Sequence, residues 1–378
     1  MIHNTGQGGA LQAQRVAVVG AGLAGAACAA GLRRRGAQVT VFDKSRNVGG
    51  RMATRRARWL DANGVEQAAA FDHGAQCFAA DNEGFQAALA IAATAGCVAE
   101  WQVPVHTPDG RRTERCWVAT PAMPALCSHL LAPLQAQGGG SVDPDANAAA
   151  NPQLHLNATV QALTRAAEGR WWVAADGLPP FGPFDQVVLA MPPSQAAALL
   201  RGHHEAWAAG LAAARMQPCW TLMAVTDAVD WPLYATQPAS GPLGWVLRND
   251  LVPGRSAPLG MAVWTAHATA AWTAAHLEAE AAVVKTELQA ALQALLAAAC
   301  PVGVPWPWHH TAVHRWRYAQ AETSHARRSA GDLFWWDASL GLGVCGDFLG
   351  GSGGSHAEHG VENAWCSGDA LSRSMTTR

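Results

Sequence analysis

Lysine is almost missing from this 378-residue chain: only Lys44 and Lys285 occur, so arginine carries nearly all of the positive charge. Tyrosine is as scarce, with Tyr234 and Tyr318 alone, against 17 tryptophans. Chemistry that needs a deprotonated lysine or a cage of tyrosines therefore has few residues to draw on. Charged residues make up 14% of the chain and the net charge is −2, which excludes a polyanion-binding surface and points away from nucleic acid. The nine cysteines include no C-x-x-C pair, so neither a disulfide framework nor a cysteine zinc site is expected. Reduced thiols in a cytoplasmic protein are the expectation. The histidine pairs His203–His204, His309–His310 and His356/His359 lack neighbouring ligands at metal spacing in the sequence, and no metal is expected. The longest apolar segment, near 288–304, is broken by Gln289, Gln293 and Pro301, and no transmembrane helix is predicted. Residues 1–14 are polar and read as a leader without secretory character.

What is present begins with Arg15–Val19, a valine-rich run suited to a buried parallel strand. Gly20, Gly22 and Gly25 follow as G-x-G-x-x-G where the strand turns into a helix. Gly20 permits the tight turn, Gly22 lets backbone approach a pyrophosphate, and Gly25 allows helix and sheet to pack closely. The pattern continues helically to Leu32, Gly36 is a stop signal, and Gln38–Phe42 reads as the second strand. Asp43 ends that strand, 18 residues beyond Gly25, where a carboxylate accepts from ribose hydroxyls. This is a dinucleotide site. With Leu23 and Ala24 in the first helical turn and Lys44 after Asp43, these are the first candidate cofactor contacts.

Further along, 82–96 and 121–137 read as helices, with strands at 100–105 and 115–118 about the Pro108–Asp109–Gly110 turn. Residues 137–152 form a Gly-rich, then Ala/Asn/Pro-rich linker. Strands are predicted at 154–163, 170–175, 186–190, 216–226, 243–247, 261–266 and 311–318, with a long helix over 277–299. The chain closes with a strand at 343–345, Gly346–Asp347, a glycine-rich loop and a helix from about Val361 to Arg373.

Several phrases together resemble the amine-oxidase-like branch of FAD-dependent oxidoreductases, and within it the bacterial renalase-like group. They are Gly49-Gly50-Arg51-Met52-Ala53-Thr54-Arg55-Arg56, Phe71-Asp72-His73-Gly74-Ala75-Gln76, Trp264-x-x-His267-Ala268, His314-Arg315-Trp316-Arg317-Tyr318, and Leu342-Gly343-x-Cys345-Gly346-Asp347. The resemblance runs from about Arg15 to Met375. It implies an α/β protein with a discontinuous Rossmann-type FAD-binding domain (1–80, 151–200 and 331–378). A mixed-sheet α+β substrate domain (81–150 and 201–330) completes the fold. It implies non-covalent FAD, with Gly49, Gly50 and Arg51 along the pyrophosphate, where a guanidinium offsets phosphate charge. Val160 is implied against adenine, and the helix start at Gly360-Val361-Glu362 against the flavin pyrimidine edge. Asp347 is expected to accept from ribityl hydroxyls or to meet phosphate through water, since direct contact would be repulsive. Cys77 departs from the group, which more often has an aromatic residue there.

The renalase-like resemblance implies oxidation of aberrant dihydro-NAD(P) isomers, with O2 as acceptor and hydrogen peroxide as product. Hydride loss from a dihydropyridine needs no general base. For the substrate pocket the candidates are Trp264 and Trp316 as aromatic walls and His267 as a hydrogen-bonding partner; their competing reading is a place in the hydrophobic core. Arg317 is either a phosphate anchor or a solvated cation. The rival enzyme reading is a primary-amine or polyamine oxidase, which commonly uses tyrosines and a lysine near flavin N5. A non-catalytic rival is an escort or carrier protein of the same fold, though retention of all the nucleotide motifs opposes it.

Overall fold

The computed structural model describes residues 14–136, 153–228, 234–299, 307–322, 333–349 and 356–376. The leader, the 137–152 linker and the glycine-rich loop at 350–355 lie outside the described residues. Apolar runs too short for helices build the first sheet. Arg15–Val19, Gln38–Phe42, Gln186–Leu189 and Leu342–Cys345 are rich in valine, and most of their residues are buried. They pair in parallel, as runs buried on both faces must. The complete order is Phe334–Asp337, Leu342–Cys345, Gln186–Leu189, Arg15–Val19, Gln38–Phe42, Leu154–His155, with only the Phe334–Asp337 edge antiparallel.

The first helix (Leu23–Arg34) covers one face of this sheet beside the last helix (His356–Ser374). Small residues let these two approach: a methyl group at Gly368 would lie 2.0 Å from the Ala24 carbonyl oxygen, and one at Gly31 would lie 2.1 Å from Ser372 Oγ. The other face packs against a three-stranded meander (Val160–Arg165, Trp171–Ala175, Phe181–Phe184) and two helices (Pro193–Leu200, Glu205–Ala212).

A second, seven-stranded mixed sheet has the order Trp308–Ala321, Met216–Asp227, Met261–Ala268, Leu243–Arg248, Ala235–Thr236, Val98–Thr107, Gly110–Ala119. The helix Ala281–Ala299 lies on one of its faces, burying Val284, Leu288, Leu292 and Leu296 against Trp220, Leu222, Trp264 and Ala266. A hairpin (Thr54–Leu60 with Glu66–Asp72) lies on the other, where Trp59, Ala69 and Phe71 meet Met223, Val225 and Val263.

A Rossmann-type parallel sheet joined to a mixed α+β sheet is thus the observed fold class. Several boundaries differ from those the sequence predicts. The helices Glu83–Thr94 and Ala125–Ala136, expected on the substrate side, contribute Phe85, Leu89, Leu126 and Leu131 to the core of the parallel sheet. Helix Glu205–Ala212 likewise belongs to the meander side. The single strand predicted over 154–163 is two, because Asn157 turns with φ +54° while its N–H bonds Ser45 O. The basic, polar run after Arg51 is a strand whose partner arrives only after the Asp61–Gly64 turn.

Candidate functional site

The dinucleotide turn is built by exclusion. Gly20 has φ +118°, and a methyl there would lie 2.1 Å from the Ala190 carbonyl oxygen; one at Gly25 would lie 1.9 Å from Gly20 O. Gly22 is different. A methyl there meets only the Gly50 Cα, at 3.9 Å, so its space is not filled by protein. Gly22 is also the N-cap of the first helix, without a side-chain cap and without an acid in the first turn. The N–H groups at that end, around Leu23 and Ala24, are left for an external anion. Gly22 and Gly49 form an isolated parallel bridge, which brings the Gly49–Gly50 turn over this helix start. The cradle fits a dinucleotide pyrophosphate.

Asp43 is half-buried; its Oδ2 accepts from Ala21 N–H at 2.7 Å and its Oδ1 from Ser45 N–H at 2.7 Å. Each carboxylate oxygen keeps lone-pair capacity for a ribose hydroxyl. Lys44 beside it is exposed. The Asp43 carbonyl accepts from Ala158 N–H at 2.8 Å, which starts the Val160 strand next to this site.

Arg51 and Asp347 meet each other. The guanidinium makes a bidentate pair, with Nη1–Oδ2 at 2.7 Å, and also donates from Nη1 to Ala319 O at 3.0 Å. Burial opposes the Arg51 charge, but Asp347 outweighs it and holds the arginine more firmly protonated. The sequence places them apart, as separate contacts to the cofactor. Their pairing offsets most of the charge Arg51 would offer a phosphate, and it occupies one lone pair on each Asp347 oxygen, leaving the other.

Val361 and Glu362 are a correction. The last helix begins at His356, so both lie in its second turn and not at its N-terminus. The Glu362 carboxylate, 4% exposed, accepts from Asp81 N–H at 2.8 Å and from Asn82 N–H. It thereby stabilises the start of the Glu83–Thr94 helix. His359, which lacks ligand neighbours in the sequence, has them in space: Asp81 Oδ2 is 2.9 Å away, and the ligand atoms of Asp81, His359 and Glu362 lie within 4.8 Å of one another.

The loop His73–Gln76 connects the cradle to the second sheet. Ala75 N–H donates to Arg51 O at 2.9 Å, and a methyl at Gly74 would lie 1.9 Å from that same oxygen. A buried network fastens the loop's leading edge. Asp72, fully buried, pairs with Arg255 at 2.9 Å and accepts from Thr54 Oγ1, while Asn249 Oδ1 accepts from Asp72 N–H at 3.0 Å. The loop then lies on one row of the sheet, where His314, Thr221, His267 and Trp245 stand side by side on adjacent strands. The His73 carbonyl accepts from Trp316 Nε1 at 2.8 Å and from Thr221 Oγ1 at 3.1 Å. The rings of His73 and His314 meet edge to face at 4.8 Å.

These imidazoles are held neutral. Burial lowers His267 to about 4, against the contrary effect of the His73 and Gly74 backbone. Burial lowers His73 to about 4 as well, assisted by His314, Arg55 and His267. His314 and His310 are shifted in the same direction, by burial first and Arg55 second. Gln76 Nε2 stands 3.4 Å from His267 Nε2 and donates to Thr265 O at 3.4 Å, while its buried Oε1 has no partner among the described residues. A neutral donor-and-acceptor pair, one atom unsatisfied, is the chemical signature of this site.

His267 and Trp316 are brought together here; Trp264 is not. Three residues from His267 on the same strand, it points to the opposite face, 2% exposed, with Nε1 bonded to Thr226 Oγ1 at 2.9 Å. Trp264 is a core residue under the Ala281–Ala299 helix. Arg317 and Arg315 both pair with Glu278, so Arg317 is a surface cation and not an anchor in this row. Thr221, Trp245, His314 and Gln76 were not selected from the sequence. Parity with Trp316 was available for His314; Trp245 needed the register across two strands. Cys77 packs with Trp245 and Trp101, at the far end of the row.

The sequence profile of the NAD(P)-binding Rossmann-like domain family matches residues 18–91, the part that holds the cradle and Asp43. The whole fold is similar to solved structures at low identity. A putrescine oxidase with bound putrescine is 15% identical with a TM-score of 0.55, covering 96% of this chain and 98% of that one. An oxidoreductase from Methanosarcina mazei is 14% identical with a TM-score of 0.63, covering 93% and 99%. Cyclohexylamine oxidase from Brevibacterium oxydans is 14% identical with a TM-score of 0.60, covering 95% and 99%. At these identities the likeness is one of fold.

Proposed function

We propose that this protein is a flavoenzyme that holds FAD non-covalently and oxidises dihydronicotinamide dinucleotides, of the aberrant dihydro-NAD(P) type, returning NAD(P)+ and passing two electrons to O2 to give hydrogen peroxide. The FAD part of the reading is supported by the fold likeness and by the unfilled cradle at Gly22 and Gly50. The observation that carries the substrate class is the Gln76–His267 pair. A nicotinamide carboxamide presents one donor group and one acceptor, and a neutral amide with an unsatisfied oxygen beside a neutral imidazole complements both.

FAD, when bound, supplies the hydride acceptor. The chain's own residues position the donor. Asp43 takes the adenosine ribose and the Leu23 helix start the pyrophosphate, so the far end of the cofactor is fixed before chemistry. Trp316, its ring locked by the Nε1 bond to His73 O, offers a flat wall for the dihydropyridine. The Trp245, Cys77 and Trp101 cluster keeps the far end apolar. No residue needs to take a proton, because the ring nitrogen lone pair drives hydride loss, and histidines near pKa 4 remain neutral throughout.

A primary amine or polyamine is the second reading, favoured by the likeness to putrescine and cyclohexylamine oxidases. Burial, and after it His314, Arg55 and His267, disfavour positive charge at His73, so an alkylammonium gains nothing from them. Mixing flavin-loaded protein anaerobically with 2- and 6-dihydroNAD(P) and with an amine panel separates the two. Bleaching by dihydronicotinamides is the expected result. Bleaching by amines alone overturns the substrate assignment, and colourless, FAD-indifferent protein overturns both.

A further inference from the structure

The cations near the histidine row do not have equal freedom. Arg315 and Arg317 are odd-parity residues of their strand, turned away from His314 and Trp316 and engaged by Glu278 at 3.2 and 2.6 Å. Arg51 is engaged by Asp347 and Arg255 by Asp72. Arg55 is exposed, and its guanidinium has no hydrogen-bond or carboxylate partner among the described residues. Its place follows from the hairpin. Arg55 pairs with Phe71 and shares a strand face with Ala57 and Trp59, which lie on the second sheet. Trp59 stacks on His310 at 5.2 Å, and Phe71 lies 5.9 Å from the same ring. Phe71, the cross-strand partner of Arg55, thus sets it at this edge of the row, and the Arg55 charge acts on His310, His314 and His73.

We propose that Arg55 anchors the pyrophosphate of the dinucleotide substrate, at the outer end of the row whose inner part is Gln76 and His267. This rests on the substrate reading above. Arg55 is then a specificity-determining residue: it gives the site a cation for a ligand phosphate, while the neutral imidazoles of His73 and His314 beneath it add no carboxylate to repel one. An unpaired guanidinium offers a planar fork matched to phosphate oxygens. It also disfavours a protonated amine, which would approach the same opening against like charge.

ADP-ribose carries the pyrophosphate without the reactive ring and serves as the probe. Calorimetric titration into FAD-saturated protein is expected to show salt-sensitive binding that Arg55→Ala weakens about 10- to 100-fold. Arg55→Lys should fall between, and Arg317→Ala should match wild type. In anaerobic reduction, Arg55→Ala should raise the half-saturating concentration of 6-dihydroNAD and leave both its limiting rate and the behaviour of the dihydronicotinamide riboside unchanged. Wild type that fails to bind ADP-ribose, Arg55→Ala that binds it equally, or equal losses for dinucleotide and riboside overturns the assignment. Arg55-dependent ADP-ribose binding in a protein that no dihydronicotinamide bleaches upholds the anchor and overturns the oxidation reading instead.

Discussion

The two faces of the seven-stranded sheet are made by alternate residues of the same strands, yet around Thr221 and His267 they differ in chemistry. Towards the Ala281–Ala299 helix, Trp220, Leu222, Trp264 and Ala266 close a continuous apolar layer with Val284, Leu288 and Leu292. Towards the hairpin and the dinucleotide cradle, the same strands present Thr221 bonded to His73 O, Thr265 bonded to Asn249, His267 beside Gln76, and His314 against the His73 ring. The first is closed by apolar packing. The other leaves the Gln76 oxygen and the His73 Nδ1 without partners among the described residues. Strand periodicity explains how neighbouring positions such as Trp264 and His267 come to serve different ends.

Substitution can break this contrast. Trp264→Ala should be the costliest change, about 3–5 kcal/mol, since it opens a cavity and removes the donor to Thr226 Oγ1. Urea denaturation measures the loss, and the limiting rate of flavin reduction per folded molecule should not change. A lower limiting rate at full folding would put Trp264 back among the reacting groups.

Acid acts on the other face. His73 and His267 bind protons more weakly in the folded chain, near pKa 4, than in the unfolded chain, at about 6.5. The unfolded state therefore takes up protons first as pH falls. Stability should be independent of these groups above about pH 6.5 and should decline between about 6.5 and 4. His73→Gln should flatten that decline in denaturation midpoints measured across the window; an unaltered slope would show that His73 titrates normally.

What could be read in the sequence is what depends on contiguous residues. Gly20, Gly22, Gly25 and Asp43 sit within one strand–helix–strand unit, where spacing alone sets the turn and the carboxylate. His267 and Trp316 were reachable through their motifs. The Arg51–Asp347 pair was not, because it joins a turn to a strand end 296 positions away. Trp264 was misplaced because a motif gives residue types without saying which side of the sheet each faces. Glu362 failed for a local reason: the helix starts at His356, and the buried carboxylate satisfies the Asp81 and Asn82 N–H groups. Trp245 and Thr221 became visible only when antiparallel register set them beside His267.

The division between the two faces is tested most directly by anaerobic reduction with 6-dihydroNAD, comparing His267→Asn with Trp264→Phe at matched folded fraction. His267→Asn should change stability by no more than about 1 kcal/mol, yet raise the half-saturating concentration about tenfold through a weakened carboxamide contact. Trp264→Phe should lose stability and leave reduction kinetics as in wild type. Unchanged kinetics in His267→Asn together with slowed reduction in Trp264→Phe would contradict the assignment of the histidine face to the substrate.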